Sequence, residues 1–142
     1  MNLDLSNKKV IITGGSTGIG KEVVTLFAKN GAKVAIFDVN DTEGIELTNQ
    51  LNKDGHEIRY WHVDVRDSNQ VSGGVMAAEQ WLEGVDILIN LAGILQGASI
   101  NIEEFPDEVW DSVVGINLTG SYLMVKHVFN YMIKKKKGVI IL

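Results

Sequence analysis

The chain has 142 residues, of which 45% are hydrophobic and 22% charged, and its formal net charge is −5 at pH 7. This length is sufficient for one domain with a buried core, and the composition is that of a globular protein. The acidic balance argues against nucleic acid or an anionic membrane as a partner, and the absence of cysteine excludes disulfides and thiolate metal sites.

The N-terminal residues MNLDLSNKK lack the apolar core of a secretion signal, and no apolar run reaches membrane-spanning length. We therefore expect a cytoplasmic protein. The one basic run, KKKK at 134–137, coincides with a predicted helix end, where cations complement the helix dipole. The three histidines are scattered along the chain, so we predict no metal site.

Short apolar runs alternate with longer helix-like segments along the sequence. The runs predict strands over 9–13, 33–38, 57–65, 85–93 and 138–142, and the segments predict helices over 20–31, 41–55, 68–84 and 107–135. Near-continuous apolar runs are typical of strands that are buried on both faces of a parallel sheet. We therefore predict a single α/β domain over residues 1–142, a doubly wound parallel sheet of Rossmann type with strand order 3-2-1-4-5, truncated after strand five.

The first predicted strand leads directly into a glycine-rich loop, TGGSTGIGKE. The loop lacks the G-x-G-x-x-G dinucleotide fingerprint but has G-x-x-x-G-x-G, at Gly14, Gly18 and Gly20. Glycines allow a tight turn and a close approach of the backbone to a pyrophosphate, which the N-terminus of the next helix attracts. Thr13 and Ser16 add hydroxyl donors. Taken alone, the loop also fits a glycine-rich turn that binds no ligand.

The second predicted strand ends in Asp38, where an acidic residue binds the adenosine ribose in dinucleotide-binding folds. Its carboxylate can accept hydrogen bonds from both ribose hydroxyls and repels a 2′-phosphate. Val39 and Asn40 carry no positive charge that would bind this phosphate, and Ser16 and Thr17 in the loop carry none either. NAD is therefore favoured over NADP. Taken alone, Asp38 also fits a solvated turn, because the Asp and Asn residues of the DVND segment favour turns.

Five motifs, in matching order and spacing, resemble the N-terminal part of a short-chain dehydrogenase/reductase. They are TGGSTGIG at 13–20, Asp38, VDV at 63–65, NLAG at 90–93 and INLTG at 116–120. The resemblance runs along essentially the whole chain. It implies an NAD-dependent oxidoreductase that transfers hydride between the cofactor and a small alcohol or ketone.

The resemblance also implies which residues bind the cofactor. Asp64 and Val65 would meet the adenine, and the carboxylate would accept a hydrogen bond from the adenine amino group. The pyrophosphate and its adjoining ribose would be lined by the residues of the glycine loop: Gly14, Ser16, Thr17, Gly18, Ile19 and Gly20.

Further implied positions lie at the end of strand four and in the last helix. Asn90, Ala92 and Gly93 would form the strand end along which the cofactor lies, with Asn90 also tying neighbouring strands. Leu91 stands where the family usually has a second asparagine. Asn117 matches a helix asparagine that holds a water in the family's proton relay, although by residue type alone it would be interpreted as a helix kink.

Tyr122 and Lys126 have the Tyr-x-x-x-Lys spacing of the family's catalytic pair. In the family, the serine lies at the end of strand five and the Tyr-x-x-x-Lys pair lies on the helix after it. Tyr122 and Lys126 instead precede that strand. We therefore predict that Tyr122 packs in an apolar row with Met124, Val125 and Phe129 and takes no part in catalysis.

The implied catalytic serine, tyrosine and lysine would follow Leu142, so we expect the 142-residue chain alone to be inactive. Two other classes of function fit part of this pattern. One is a non-catalytic NAD-binding or regulatory module on the same half-fold. The other is an S-adenosylmethionine methyltransferase, which also pairs a glycine loop with an acidic strand end, but the motifs NLAG and INLTG argue against it.

The predicted fifth strand, GVIIL at 138–142, lies at a sheet edge with open N–H and C=O groups. We therefore expect a homo-oligomer. The preceding helix resembles the dimerisation helix of the family through five apolar residues: Val113, Val114, Tyr122, Val125 and Phe129.

Overall fold

A computed structural model describes residues 3–142 and contains five parallel strands and five α-helices. The strands are β1 (Lys9–Thr13), β2 (Lys33–Asp38), β3 (Ile58–His62), β4 (Ile87–Asn90) and β5 (Val139–Ile141). The helices are α1 (Gly18–Lys29), α2 (Asp41–Lys53), α3 (Ser68–Leu82), α4 (Asp107–Val114) and α5 (Ser121–Lys135). This alternation confirms the predicted doubly wound α/β fold.

The strand order in the sheet is β3-β2-β1-β4-β5, as predicted. In the central strand, Thr13 lies opposite Phe37 of β2 on one side and Asn90 of β4 on the other. After β3 the chain crosses over the sheet to β4, so the direction in which strands are added reverses between β1 and β4. In open parallel sheets, ligands bind in the crevice at this reversal point, outside the carboxyl ends of the strands.

The central strands are covered by helices on both faces, which explains why their sequences are continuously apolar. Ile11 and Phe37 point towards α3 and α5, whereas the alternate residues Val10, Ile12 and Ile36 point towards α1 and α2. Most apolar residues of β1, β2 and β4 are therefore buried whichever way they point. The resulting two-sided core fixes the positions of the loops at the strand ends.

The third and fourth strands end earlier than the sequence predicts. β3 stops at His62 and β4 at Asn90, whereas the apolar runs continue to 65 and 93. One further main-chain hydrogen bond to the neighbouring strand follows each strand end. Val63 N donates to the main-chain oxygen of Asp38, and Leu91 N donates to that of Thr13. The residues that follow turn away from the sheet, so they are available to line a cleft.

The predicted helix over 107–135 is one continuous helical path with a wider π turn in its middle, at Gly115–Gly120. Gly120 is buried at the end of this turn, where a methyl group would lie 2.6 Å from Cγ2 of Val65. The glycine therefore lets the helix approach the end of β3 closely. A π turn inside an α-helix frequently marks a functional site.

The predicted apolar row around Tyr122 is wrong. Met124 is fully buried, but the Tyr122 side chain is 60% exposed and Phe129 is 50% exposed. Residues two apart on a helix point about 200° apart, so Met124 and Tyr122 cannot share a face. The Nζ atom of Lys126 lies 5.7 Å from the centre of the Tyr122 ring, a cation–π contact on the helix surface.

Within residues 3–142, no helix is both long enough and apolar enough to cross a membrane. The same residues contain no group of three or more histidine, aspartate or glutamate side chains placed to hold a metal ion. The cytoplasmic location expected from the sequence stays a prediction.

Candidate functional site

A cleft of about 400 Å³ lies at the carboxyl ends of the strands, beside the point where the strand order reverses. This volume falls within the range of small-molecule and cofactor sites. Most of the predicted cofactor residues line it: Gly14, Thr17, Ile19, Gly20, Asp38, Asp64, Val65, Ala92 and Gly93. The cleft therefore brings together residues that lie more than half the sequence apart.

The glycines of the loop allow two close backbone approaches. Gly14 has a positive φ of 64°, and a methyl group there would lie 2.9 Å from the main-chain nitrogen of Ala92. A methyl group at Gly20 would overlap the carbonyl oxygen of Gly14. Any side chain at these positions would push the loop away from β4 or from α1, so the cleft wall depends on both glycines.

The first turn of α1 forms part of the cleft wall through Thr17, Ile19 and Gly20. In the described part of the chain, the extended residue Thr17 precedes the helix without making a side-chain capping hydrogen bond. The first N–H groups of a helix have no partner within the helix. Such a terminus favours an anion, because the N–H groups and the helix dipole act together.

Ser16 and Gly18 do not line the cleft. The hydroxyl of Ser16 is buried against α2, where a methyl group at Gly44 would lie 2.8 Å away, and it has no hydrogen-bond partner among residues 3–142. The main-chain nitrogen of Ser16, however, donates to Oδ2 of Asp38 over 3.0 Å. Gly18 has a positive φ of 52° and lies on the outer side of the loop.

The carboxylate of Asp38 is held by three main-chain N–H groups. In addition to Ser16 N, Val39 N and Asn40 N donate to its Oδ1, over 2.8 and 3.1 Å. An ionised carboxylate has about four acceptor positions, so these three donors orient Asp38 and leave about one acceptor position free for a ligand. Val39 lines the cleft next to it.

A chain of hydrogen bonds, buried at Thr13 and exposed at Asn117, runs behind the cleft wall. Thr13 Oγ1 donates to Asn90 Oδ1 over 2.8 Å, Asn90 Nδ2 donates to Ser121 Oγ over 2.9 Å, and Ser121 Oγ donates to the main-chain oxygen of Asn117 over 2.7 Å. The Asn117 side chain then both accepts from Ile94 N and donates to Ile94 O, each over 2.9 Å. The network fixes β1, β4 and the π turn relative to one another.

This network corrects one prediction and qualifies two others. Thr13 cannot donate to a pyrophosphate as predicted, because its fully buried hydroxyl donates to Asn90 and accepts from Ala92 N over 3.0 Å. Asn90 is buried and ties neighbouring strands, as its position implied, but it does not line the cleft. Asn117 holds the segment after β4 in place, and its role in a proton relay stays a prediction.

Arg66 is a charged residue of the cleft that was not predicted. Its Nη2 lies 2.6 Å from Oδ2 of Asp64 and its Nε lies 3.0 Å from Oδ1, a bidentate ion pair. The hydrogen bonds from Arg66 hold the pKa of the Asp64 carboxyl below its ordinary value. The sequence signal for this ion pair is the spacing, since Arg66 follows Asp64 by two residues.

Within residues 3–142, the cleft lining contains none of the side chains that usually donate a proton to a carbonyl group near neutral pH. Within the described residues, its lining includes no tyrosine, histidine, lysine or serine, and its charged groups are Asp38, Asp64 and Arg66. Tyr122 lies outside the cleft and is exposed. The site as described can therefore bind and orient a ligand but lacks an obvious proton donor.

The sequence profile of a family described as "short chain dehydrogenase" matches residues 8–142. The chain belongs to the short-chain dehydrogenase family. Membership was predicted from five motifs, and it is consistent with the position of all five around one cleft or directly behind it.

Three individual proteins to which the chain is similar illustrate the match. The chain is 42% identical to (+)-borneol dehydrogenase 1 of Salvia officinalis, covering 96% of this chain and 52% of that protein. It is 37% identical to xanthoxin dehydrogenase of Arabidopsis thaliana, covering 96% and 49%. The structure of a short-chain type dehydrogenase/reductase from Mycobacterium ulcerans superposes with a TM-score of 0.91 at 25% identity, covering 97% and 51%. The chain thus spans about half the length of the relatives it matches.

Proposed function

We propose that this chain is the NAD-binding part of an oxidoreductase that transfers hydride between the cofactor and a small alcohol or ketone. The observation that carries the proposal is the arrangement at the cleft. The uncapped first turn of α1, which Gly14 approaches closely at Gly20, forms one part of the wall, and Asp38 lies at the neighbouring strand end. Family membership supports the oxidoreductase class.

The residues present fit a dinucleotide. The N–H groups of the first turn of α1, around Ile19 and Gly20, would bind the pyrophosphate, and Asp38 would bind the adenosine ribose. Asp64 and Val65 would border the adenine, although the Asp64 carboxylate already binds Arg66. When bound, a nicotinamide dinucleotide supplies the hydride donor or acceptor of the reaction.

The preference for NAD over NADP is proposed from the charges at this end of the cleft. The Asp38 carboxylate would repel a 2′-phosphate, and the residues that hold it do so through main-chain N–H groups rather than cations. Arg66 is the cation of the cleft lining within the described chain, and its charge is compensated by Asp64 at 2.6 Å. Neither feature favours binding of the 2′-phosphate that distinguishes NADP from NAD.

We expect the chain to bind NADH at least about tenfold more tightly than NADPH, a difference of about 1.4 kcal/mol. Fluorescence titration with each cofactor at one ionic strength measures it. Asp38→Ala should bring the two dissociation constants within about threefold of each other, since it removes the carboxylate that discriminates between them. Asp54→Ala removes an exposed carboxylate at the opposite end of α2 and should preserve the preference. Equal affinities in the unmodified chain would contradict the NAD assignment.

We further propose that the 142-residue chain forms a homo-oligomer. Tyr122, Phe129 and Ile133 lie on one side of α5 and are each at least half exposed, and the edge strand β5 exposes Val139 and Ile141. Exposed apolar patches and open strand edges both favour association. Light scattering at micromolar concentration should give a mass of at least two chains, and Phe129→Asp should lower it. A monodisperse, cooperatively melting monomer would contradict this proposal.

A further inference from the structure

Beside Asp38 lies a second carboxylate, Asp41, at the first position of α2. Its Oδ1 lies 2.7 Å from Nδ1 of His62 and 2.6 Å from the hydroxyl of Tyr60. His62 is the residue of β3 that lies directly opposite Asp38 in the parallel register. Three titratable side chains from α2 and β3 are thus gathered around the strand end that carries Asp38.

Tyr60 joins the two carboxylate residues. Besides its contact with Asp41, its hydroxyl lies 2.8 Å from the main-chain oxygen of Asp38, so its single proton is shared between the two acceptors. The tyrosine ring fits beneath α2 only because residue 44 is glycine, where a methyl group would overlap the ring. Asp41 therefore has a defined position relative to Asp38, although its side chain is exposed.

The local charge depends on His62. Hydrogen bonds from Tyr60 and then from His62 lower the pKa of Asp41, so Asp41 is ionised throughout the range where imidazoles titrate. Two other charged residues lie nearby. Asp38 of β2 is opposite His62 in the strand register, and Asp64, in the segment after β3, is compensated by Arg66. With a neutral imidazole, Asp38 and Asp41 give two uncompensated negative charges, and with a protonated imidazole they give one.

We infer that Asp41 and His62 are specificity-determining residues of the cofactor site, which together make the rejection of a 2′-phosphate depend on pH. Asp41 adds a second negative charge next to Asp38, and protonated His62 cancels it through the 2.7 Å contact. This inference rests on the proposed function, because it concerns the same adenosine-ribose end of the cleft. It adds residues that do not line the cleft themselves.

The expected direction follows from the charges. As the pH falls from about 8 to about 5.5, imidazole gains a proton and NADPH binding should improve relative to NADH binding. A phosphate monoester carries about two negative charges, so removing one nearby negative charge should change its affinity about fivefold in low salt. The 2′-phosphate itself also takes up a proton in this range. The effect of His62 is therefore the difference between the unmodified chain and a variant that cannot titrate.

The experiment measures the dissociation constants of NADH and NADPH at both pH values in low salt. It compares the unmodified chain with His62→Gln, Asp41→Asn and the control His56→Gln, whose site is at the far end of β3. The compared quantity is the dissociation constant of NADPH divided by that of NADH. Its decrease on acidification should be about fivefold larger in the unmodified chain and in His56→Gln than in His62→Gln. Asp41→Asn should lower the ratio about fivefold at pH 8 and remove most of the dependence on His62.

Two results overturn the inference while leaving the proposed function intact. One is NADH binding with a ratio that has the same pH dependence in His62→Gln as in the unmodified chain. The other is a ratio that Asp41→Asn leaves unchanged at pH 8. A purely structural role would produce the second of these results, because it would weaken NADH and NADPH binding alike and leave their ratio constant. No binding of either cofactor by the unmodified chain refutes the proposed function and this inference with it.

Discussion

Replacing Gly20 with alanine is expected to abolish NADH binding. A methyl carbon at this position would overlap the carbonyl oxygen of Gly14 and lie 2.7 Å from its carbonyl carbon. Both atoms are backbone, so the loop or the first turn of α1 must move. The N–H groups proposed to bind the pyrophosphate would move with it, and we expect an affinity loss of at least about 100-fold, or about 2.7 kcal/mol.

Gly73→Ala is the matched control for this change. Gly73 lies within α3, and a methyl group there would have no other atom within 4 Å. Alanine is favoured over glycine in a helix by about 1 kcal/mol, so this variant should melt at a higher temperature and bind NADH normally. Gly20→Ala should instead lose stability, by about 1–3 kcal/mol, because its new atom is overpacked. Normal NADH affinity in a folded Gly20→Ala variant would contradict the proposed role of the loop.

The second large effect concerns turnover. We expect the 142-residue chain to oxidise no alcohol at a rate typical of the family, because its cleft holds no tyrosine, lysine, histidine or serine among the residues described. A missing general acid–base group typically costs about 10²–10⁴-fold in rate. The measurement follows NADH formation with a panel of small alcohols, using a sequence-verified preparation that has first been shown to bind NADH.

Tyr122→Phe is the decisive variant for that experiment. Tyr122 lies outside the cleft, and its ring contacts Lys126 on the helix surface, so the variant should leave NADH binding unchanged. Robust turnover by the chain that disappears in Tyr122→Phe would show that this surface pair is catalytic. It would contradict the location proposed for the site.

The fold could be predicted from the sequence because its signals are local and repeated. Each buried strand is a short apolar run between turn residues, and alternation with helices leaves few topologies. The ends of β3 and β4 could not be predicted, because Val63 and Leu91 remain apolar where the chain leaves the sheet. In these places apolar residues line a cleft rather than continue a strand. Residue type alone cannot distinguish the two, because both require apolar side chains.

The parts of the site that could be predicted are those where only one residue type fits the backbone geometry. Gly14 and Gly20 permit approaches that no other residue allows, so their spacing was informative. The partners of polar side chains were not predictable, because they depend on tertiary distances. Thr13 has the same hydroxyl whether it faces a ligand or Asn90, and only the structure shows the bond between the two residues. The pairing of Arg66 with Asp64 was not predictable for the same reason.

A crystal structure of the chain grown with NADH tests the central claim most directly. The proposed function predicts the pyrophosphate within hydrogen-bonding distance of the main-chain nitrogens of Ile19 and Gly20, with the adenosine ribose hydroxyls at Asp38. The nicotinamide end should then extend past Ala92 and Gly93. NADH bound elsewhere on the chain, or a cleft that stays empty at a concentration of NADH that saturates binding in solution, would contradict it.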